Sequence, residues 1–180
     1  MRITGNQTLG LFVDFQEKLL PHITHHEEIL ENTLKLIAGL KVLNIPLLIT
    51  QQYTKGLGNT VDPVMSCVEN FSYSEKNSFS CCDDPVFYKK LTSQGKKYIV
   101  IAGIETHVCV LQTVIDLIEN EFVPIVVEDC TGSRKQNDKK IALKRIKQSG
   151  AIVTTCESIL FEITRYAGTP VFKAISKIIK

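Results

Sequence analysis

Cys109 is the residue of this chain whose surroundings best support nucleophilic chemistry. It lies in Gly103-Ile104-Glu105-Thr106-His107-Val108-Cys109-Val110, which leaves the apolar run Tyr98 to Ala102 and opens a helical one. Thr106 is a natural N-cap, making His107, Val108 and Cys109 the first three helical positions. In a first turn the backbone N–H groups lack partners and the helix dipole is positive. A thiolate is favoured there, and the same N–H groups can receive an oxyanion. The position also suits an inert cysteine, since cysteine is among the most buried residue types.

The elements that must position this thiol alternate between two periodicities. Thr8 to Val13, Ile45 to Thr50, Tyr98 to Ala102, Pro124 to Val127 and Ala151 to Thr154 read as buried strands. Between them, about Thr24 to Leu43 sets Leu30, Leu34, Ile37 and Leu40 on one helical face. His107 to Asn120 is apolar on most sides. Asn137 to Gln148 sets Ala142, Leu143 and Ile146 against a lysine-rich side and stops at Gly150. Such alternation predicts a three-layer α/β/α sandwich with a mainly parallel sheet, as one domain over residues 1–180. The stretch Tyr53 to Asp84 has no clear periodicity, and a long connection of that kind is often functional.

In open parallel sheets the ligand crevice lies beyond the carboxyl ends of the strands. Asp14, Cys109 and Asp129 are expected there, each following an apolar run. The apolar neighbours of Asp14 suit it to carrying a proton, while capping the turn is its alternative role.

Composition narrows the function classes. With 21 basic and 19 acidic residues and a net charge of +2, the chain shows no nucleic-acid footprint. No signal peptide is read at the N-terminus and no apolar run reaches membrane-spanning length. Six cysteines without a CxxC pair argue against a zinc site and fit free thiols in the cytoplasm. His22, His25 and His26 follow Pro21 near a helix start, where solvation outweighs metal ligation.

Three ordered motifs carry a resemblance over nearly the whole chain. They are Leu11-Phe12-Val13-Asp14-Phe15-Gln16, Glu75-Lys76-Asn77-Ser78-Phe79-Ser80 and Ala102-Gly103-Ile104-Glu105-Thr106-His107-Val108-Cys109, followed by Val127-Glu128-Asp129-Cys130-Thr131-Gly132-Ser133-Arg134. The chain resembles the isochorismatase-like cysteine hydrolases, which include nicotinamidases and N-carbamoylsarcosine amidohydrolases. The resemblance implies a catalytic triad of Asp14, Lys76 and Cys109. It also implies a non-proline cis peptide at Ile104–Glu105, with the N–H groups of Glu105 and Cys109 as an oxyanion hole. Spacing alone reads Lys76 as an ordinary surface lysine.

The family's metal-containing nicotinamidases carry an Asp and histidines after the second strand, where this chain reads Thr50-Gln51-Gln52-Tyr53-Thr54-Lys55. No metal and no cofactor is therefore expected. Phe15, Gln16, Tyr53 and Phe79 adjoin the motifs and either line a substrate pocket or pack in the core. His107 is read as a packing or hydrogen-bonding residue, and Glu105 as a supplier of backbone geometry. The expected function is hydrolysis of a small amide, carbamoyl or ester compound through a thioester. A non-catalytic binding protein and a redox-sensing thiol protein are the alternatives. The C-terminal stripe Val171, Ala174, Ile175 and Ile178 is expected to dock on the domain or on a sister subunit of a homo-oligomer.

Overall fold

A computed structural model describes residues 1–180. Its strands are β1 (Thr8–Val13), β2 (Leu47–Gln52), β3 (Ser74–Lys76), β4 (Tyr98–Ile104), β5 (Val123–Gly132) and β6 (Ile152–Thr154). All pair in parallel in the order β3-β2-β1-β4-β5-β6. The chain builds outward from β1 to β3, then crosses back to β4 and builds the other way. The order therefore reverses between β1 and β4, and a crevice opens at their carboxyl ends.

Parallel neighbours cannot be joined by tight turns, so helices cross both faces. They are α1 (His26–Val42), α2 (Thr54–Leu57), α3 (Asp62–Cys67), α4 (Pro85–Ser93), α5 (Leu111–Glu119), α6 (Gln136–Gln148), α7 (Cys156–Thr164) and α8 (Pro170–Ile179). Because side chains alternate across a strand, β1 sends Phe12 into the core under α1, α7 and α8. Leu9, Leu11 and Val13 enter the core under α4, α5 and α6. Both faces are buried, which is why the strands read as continuous apolar runs.

β1 spans the expected residues. β2 begins two residues late, since Pro46 has no N–H for the ladder; its carbonyl still accepts from Gly10. β5 runs on to Gly132, with an irregular register against β4 between the Val126 and Thr131 pairings. Asp129 is corrected by this: it lies within the strand, not at a crevice end. Its Oδ1 accepts from the N–H of Cys156, tying β5 to the start of α7. β3, α4 and α7 are further elements that the periodicity does not reveal. The C-terminal stripe is partly spent within the chain, where α8 packs on α1 and α7 through Ile175, Ile178 and the Phe161–Phe172 pair.

Gly103 lets the two central strands close together at the crevice. A Cβ there would sit 2.5 Å from Val13 Cβ and 2.7 Å from the Val13 carbonyl oxygen.

Candidate active site

β1 delivers Asp14. Its backbone turns into the left-handed region (φ 57°), a conformation that Asp tolerates better than most residues. The carboxylate is buried, accepting from Thr50 Oγ1 at 2.7 Å and from Lys76 Nζ at 2.8 Å. Lys76 is the last residue of β3 and is 1 % exposed, so the surface-lysine reading is corrected. Its ammonium also donates to Gln52 Oε1 at 2.6 Å and to the carbonyls of Ser78 and Phe79, each at 3.2 Å. Burial, the largest influence, pushes this lysine down, but the charge and hydrogen bond of Asp14 together with the neighbouring Cys81 and Cys109 hold it above its ordinary range. The segment after Lys76 is tethered to α5: Ser80 Oγ donates to Asp116, and the N–H of Cys81 to Thr113 Oγ1 at 2.9 Å.

β4 delivers Glu105 and Cys109. The Ile104–Glu105 peptide is cis. Thr106–Val110 form a π-helical turn ahead of α5, in which the Val110 N–H donates to the Glu105 carbonyl at 3.2 Å and the Leu111 N–H to Thr106. The expected N-cap is corrected: Glu105 occupies that position, and the buried Thr106 hydroxyl has no partner. The Glu105 carbonyl accepts from Val108 and Val110 and passes over the N–H of Cys109 between them; the Glu105 N–H has no main-chain acceptor. Both N–H groups are candidates to receive an oxyanion. The Glu105 carboxylate turns away to Arg134, taking its backbone N–H at 2.9 Å and its Nε at 3.1 Å. His107 Nδ1 lies 3.0 Å from Ser133 Oγ, on the side of the turn facing β5 and α6.

The thiol of Cys109 is 5 % exposed, and its sulfur lies 3.9 Å from Gln52 Oε1. The expectation of a resting thiolate is corrected here. Burial first, and the Asp14 carboxylate second, push the thiol well above the ordinary cysteine range, and Lys76 offsets them only in part. Cys81 behaves similarly: burial and Asp14 push it up to about 11.

The structure thus brings Asp14, Lys76 and Cys109 into one buried site, with Glu105 beside it. Phe15 packs instead in the core under α1, and the Gln16 amide is spent on backbone, donating to the carbonyls of Gln52 and Gly58 and accepting from the N–H of Gln52. Tyr53 and Phe79 are exposed where they flank Lys76. Gln52, Thr50 and Arg134 are site residues that motif reading passed over. Gln52 was within reach of the strand-end rule, since it closes β2 as Asp14 follows β1. No group of three or more His, Cys, Asp or Glu side chains is arranged to hold a metal. A groove of about 850 Å³ runs along the lysine face of α6 from Glu128 to Lys147 and contains none of these site residues. No helix is long and apolar enough to cross a membrane.

Residues 8–158 match the isochorismatase domain family model. The chain is similar to isochorismatase family protein 1B of Dictyostelium discoideum, 37% identical over 179 residues that cover 97% of this chain and 87% of the relative. Among solved structures, one described as the MAR1 ribonuclease from Caenorhabditis elegans superposes with a TM-score of 0.93 at 36% identity, covering 99% of this chain and 92% of that one. The YcaC gene product of Escherichia coli, described as an octameric hydrolase of unknown specificity, superposes with a TM-score of 0.94 at 26% identity, covering 99% of this chain and 89% of that one.

Proposed function

This chain belongs to the isochorismatase family, and from that premise we propose that it is a cysteine-dependent hydrolase of a small amide, carbamoyl or ester compound. The observation that carries the reading is the convergence of a buried thiol, a buried carboxylate and a buried ammonium. The Lys76–Asp14 pair is held at 2.8 Å with both side chains out of water. An inert core cysteine needs no such pair, and burying one without function is costly.

Asp14 takes the thiol proton as the sulfur attacks the carbonyl carbon. Once protonated, Asp14 no longer competes for Lys76, and the ammonium's charge compensates the sulfur instead. The C–S bond forms while the carbonyl π electrons move to oxygen, which the N–H groups of Glu105 and Cys109 receive. Collapse breaks the bond to the leaving group, which takes the proton from Asp14. Water then attacks the thioester, giving one proton to Asp14, and release of the acid returns that proton to sulfur. A thiol that rests protonated suits this cycle, because its proton is the one the leaving group needs.

The burial of Asp14, Lys76 and Cys109 supports a small substrate. Six free thiols fit a reducing compartment such as the cytoplasm. The octameric description of the bacterial relative supports a homo-oligomer here too. The ribonuclease description belongs to a relative. Nuclease action finds less support in this site, whose one buried cation is already committed to Asp14, Gln52 and two carbonyls.

Intact-mass measurement after exposure to panels of amides, carbamoyl compounds and esters tests the reading. An acyl adduct that maps to Cys109 and disappears in Cys109→Ala is expected. RNA cleavage that survives Cys109→Ala, with no adduct from any panel, would overturn it.

A further inference from the structure

Gln52 sits between the Lys76 ammonium and the thiol whose charge that ammonium compensates in this cycle. Its Oε1 accepts from Lys76 Nζ at 2.6 Å and lies 3.9 Å from the Cys109 sulfur. The amide orientation follows from its partners: Nε2 donates to the Asn77 carbonyl at 2.9 Å, and reversing it would set an NH₂ against an ammonium. The backbone is gripped as well, since Gln16 accepts from the Gln52 N–H at 2.7 Å and donates to its carbonyl at 3.0 Å. Gln52 is therefore held at both ends, with its oxygen aimed at the reacting groups.

We propose that Gln52 is a positioning residue for the nucleophile: its amide oxygen keeps a Lys76 N–H off the Cys109 sulfur at rest and yields it when the thiol loses its proton. The ammonium has three protons and faces four acceptors: Asp14 Oδ2, Gln52 Oε1 and the carbonyls of Ser78 and Phe79. None is spare for sulfur. Gln52 Oε1 is also a hydrogen-bond partner of the thiol, as is Asp14. When the S–H bond breaks and an O–H bond forms on Asp14, Oε1 loses a donor and faces an anion. The same transfer neutralises Asp14 and loosens its hold on the ammonium. The N–H held by Oε1 then gains a charged partner in the sulfur, which outcompetes a neutral amide oxygen. Gln52 thus keeps the resting thiol protonated and the thiolate brief.

The role rests on the hydrolase reading for its purpose, but its physical content is measurable without any substrate. Iodoacetamide labelling of the full-length protein from pH 6 to 10, with peptide mapping, follows Cys109 and Cys81 separately. Gln52→Met keeps the volume and removes the ammonium's shortest acceptor, leaving that N–H to the two carbonyls at 3.2 Å or to the sulfur. Labelling of Cys109 at pH 8 is expected to become about tenfold faster, with the midpoint moved to lower pH. Gln52→Glu keeps the oxygen and adds a negative charge that competes with the thiolate, and is expected to slow labelling about tenfold. Cys81, carried by the segment that follows Lys76, is expected to keep its rate in both variants. Equal labelling of Cys109 in all three proteins, a change of the same sign in both variants, or a parallel rise at Cys81 that signals a loosened segment would each overturn the proposal. If the opposite-signed series is seen but no carbonyl panel acylates Cys109, the hydrolase reading fails while the hold of Gln52 on the thiol stands.

Discussion

Asp14 and Glu105 are both carboxylates just past the end of a central strand, yet they live in different electrostatic worlds. Asp14 is sealed from water and answered by Thr50 and a lysine that is itself sealed. Glu105 is itself only 7 % exposed, but it is answered by Arg134, whose side chain is 61 % exposed and can trade the carboxylate for water while the Arg134 N–H still donates to it. A charge pair out of water cannot lose one member cheaply, whereas a pair at the rim can. The buried pair is therefore where stability and chemistry are locked together.

The largest test of that contrast is Lys76→Met, which strands Asp14. Urea denaturation is expected to register a loss of about 3–5 kcal/mol, with hydrolysis abolished. A loss below about 1 kcal/mol would erase the distinction between the two sites. Asp14→Asn comes next and splits two readouts. Turnover is expected to fall by a factor of about 10²–10⁴ for want of the proton acceptor. Alkylation of Cys109 at neutral pH should rise, because a carboxylate that favours the protonated thiol is gone. Parallel falls in both would mean that Asp14 serves the fold alone.

The third test uses pH. Cys81 rests on the buried side, pushed from an ordinary 9.0 to about 11. A group raised on folding gives stability that is whole below its unfolded value and is lost as pH climbs through its folded one. Stability should therefore decline between pH 9 and 11, and Cys81→Ala should flatten that decline by roughly 2–3 kcal/mol. Lys76, raised above an ordinary 10.5, keeps its contribution up to that pH, so the earlier part of the fall belongs to the thiols. The smallest effect is expected at the rim: Arg134→Ala should cost less than about 1 kcal/mol in the same denaturation assay. A loss as large as that of Lys76→Met would show Glu105 to be as dependent on its partner as Asp14.

The legibility of these regions in the sequence follows the same division. β1 and β4 are readable because both faces of a central parallel strand must be apolar, and their ends led to Asp14 and Cys109. β3 was not readable. It has three polar residues at the sheet edge, Ser74, Glu75 and Lys76, with no periodicity to detect. Lys76 could thus be assigned a role only through family resemblance. The protonated state of Cys109 was misjudged because helix-end reasoning sees local backbone, while the thiol's state depends on burial under other elements and on a carboxylate 95 positions away. Asp129 failed for a related reason, since an apolar run of four residues gave no sign that β5 would continue past it.

The lysine rides on the outermost strand while the carboxylate it neutralises rides on an inner one, and this bears on how the sheet is completed. β1 can pair with β2 and β4 through backbone hydrogen bonds and apolar packing without any charge, but its end cannot be withdrawn from water while Asp14 lacks a counter-charge. That counter-charge arrives only when β3 docks on β2 and the segment behind it latches onto α5 through Ser80 and Asp116. Sealing the inner strand thus waits on the edge strand, and a partly assembled chain keeps its reactive end hydrated. The ion pair ties the outermost strand to an inner one, so that Asp14 is sealed with its charge answered only in the complete sheet.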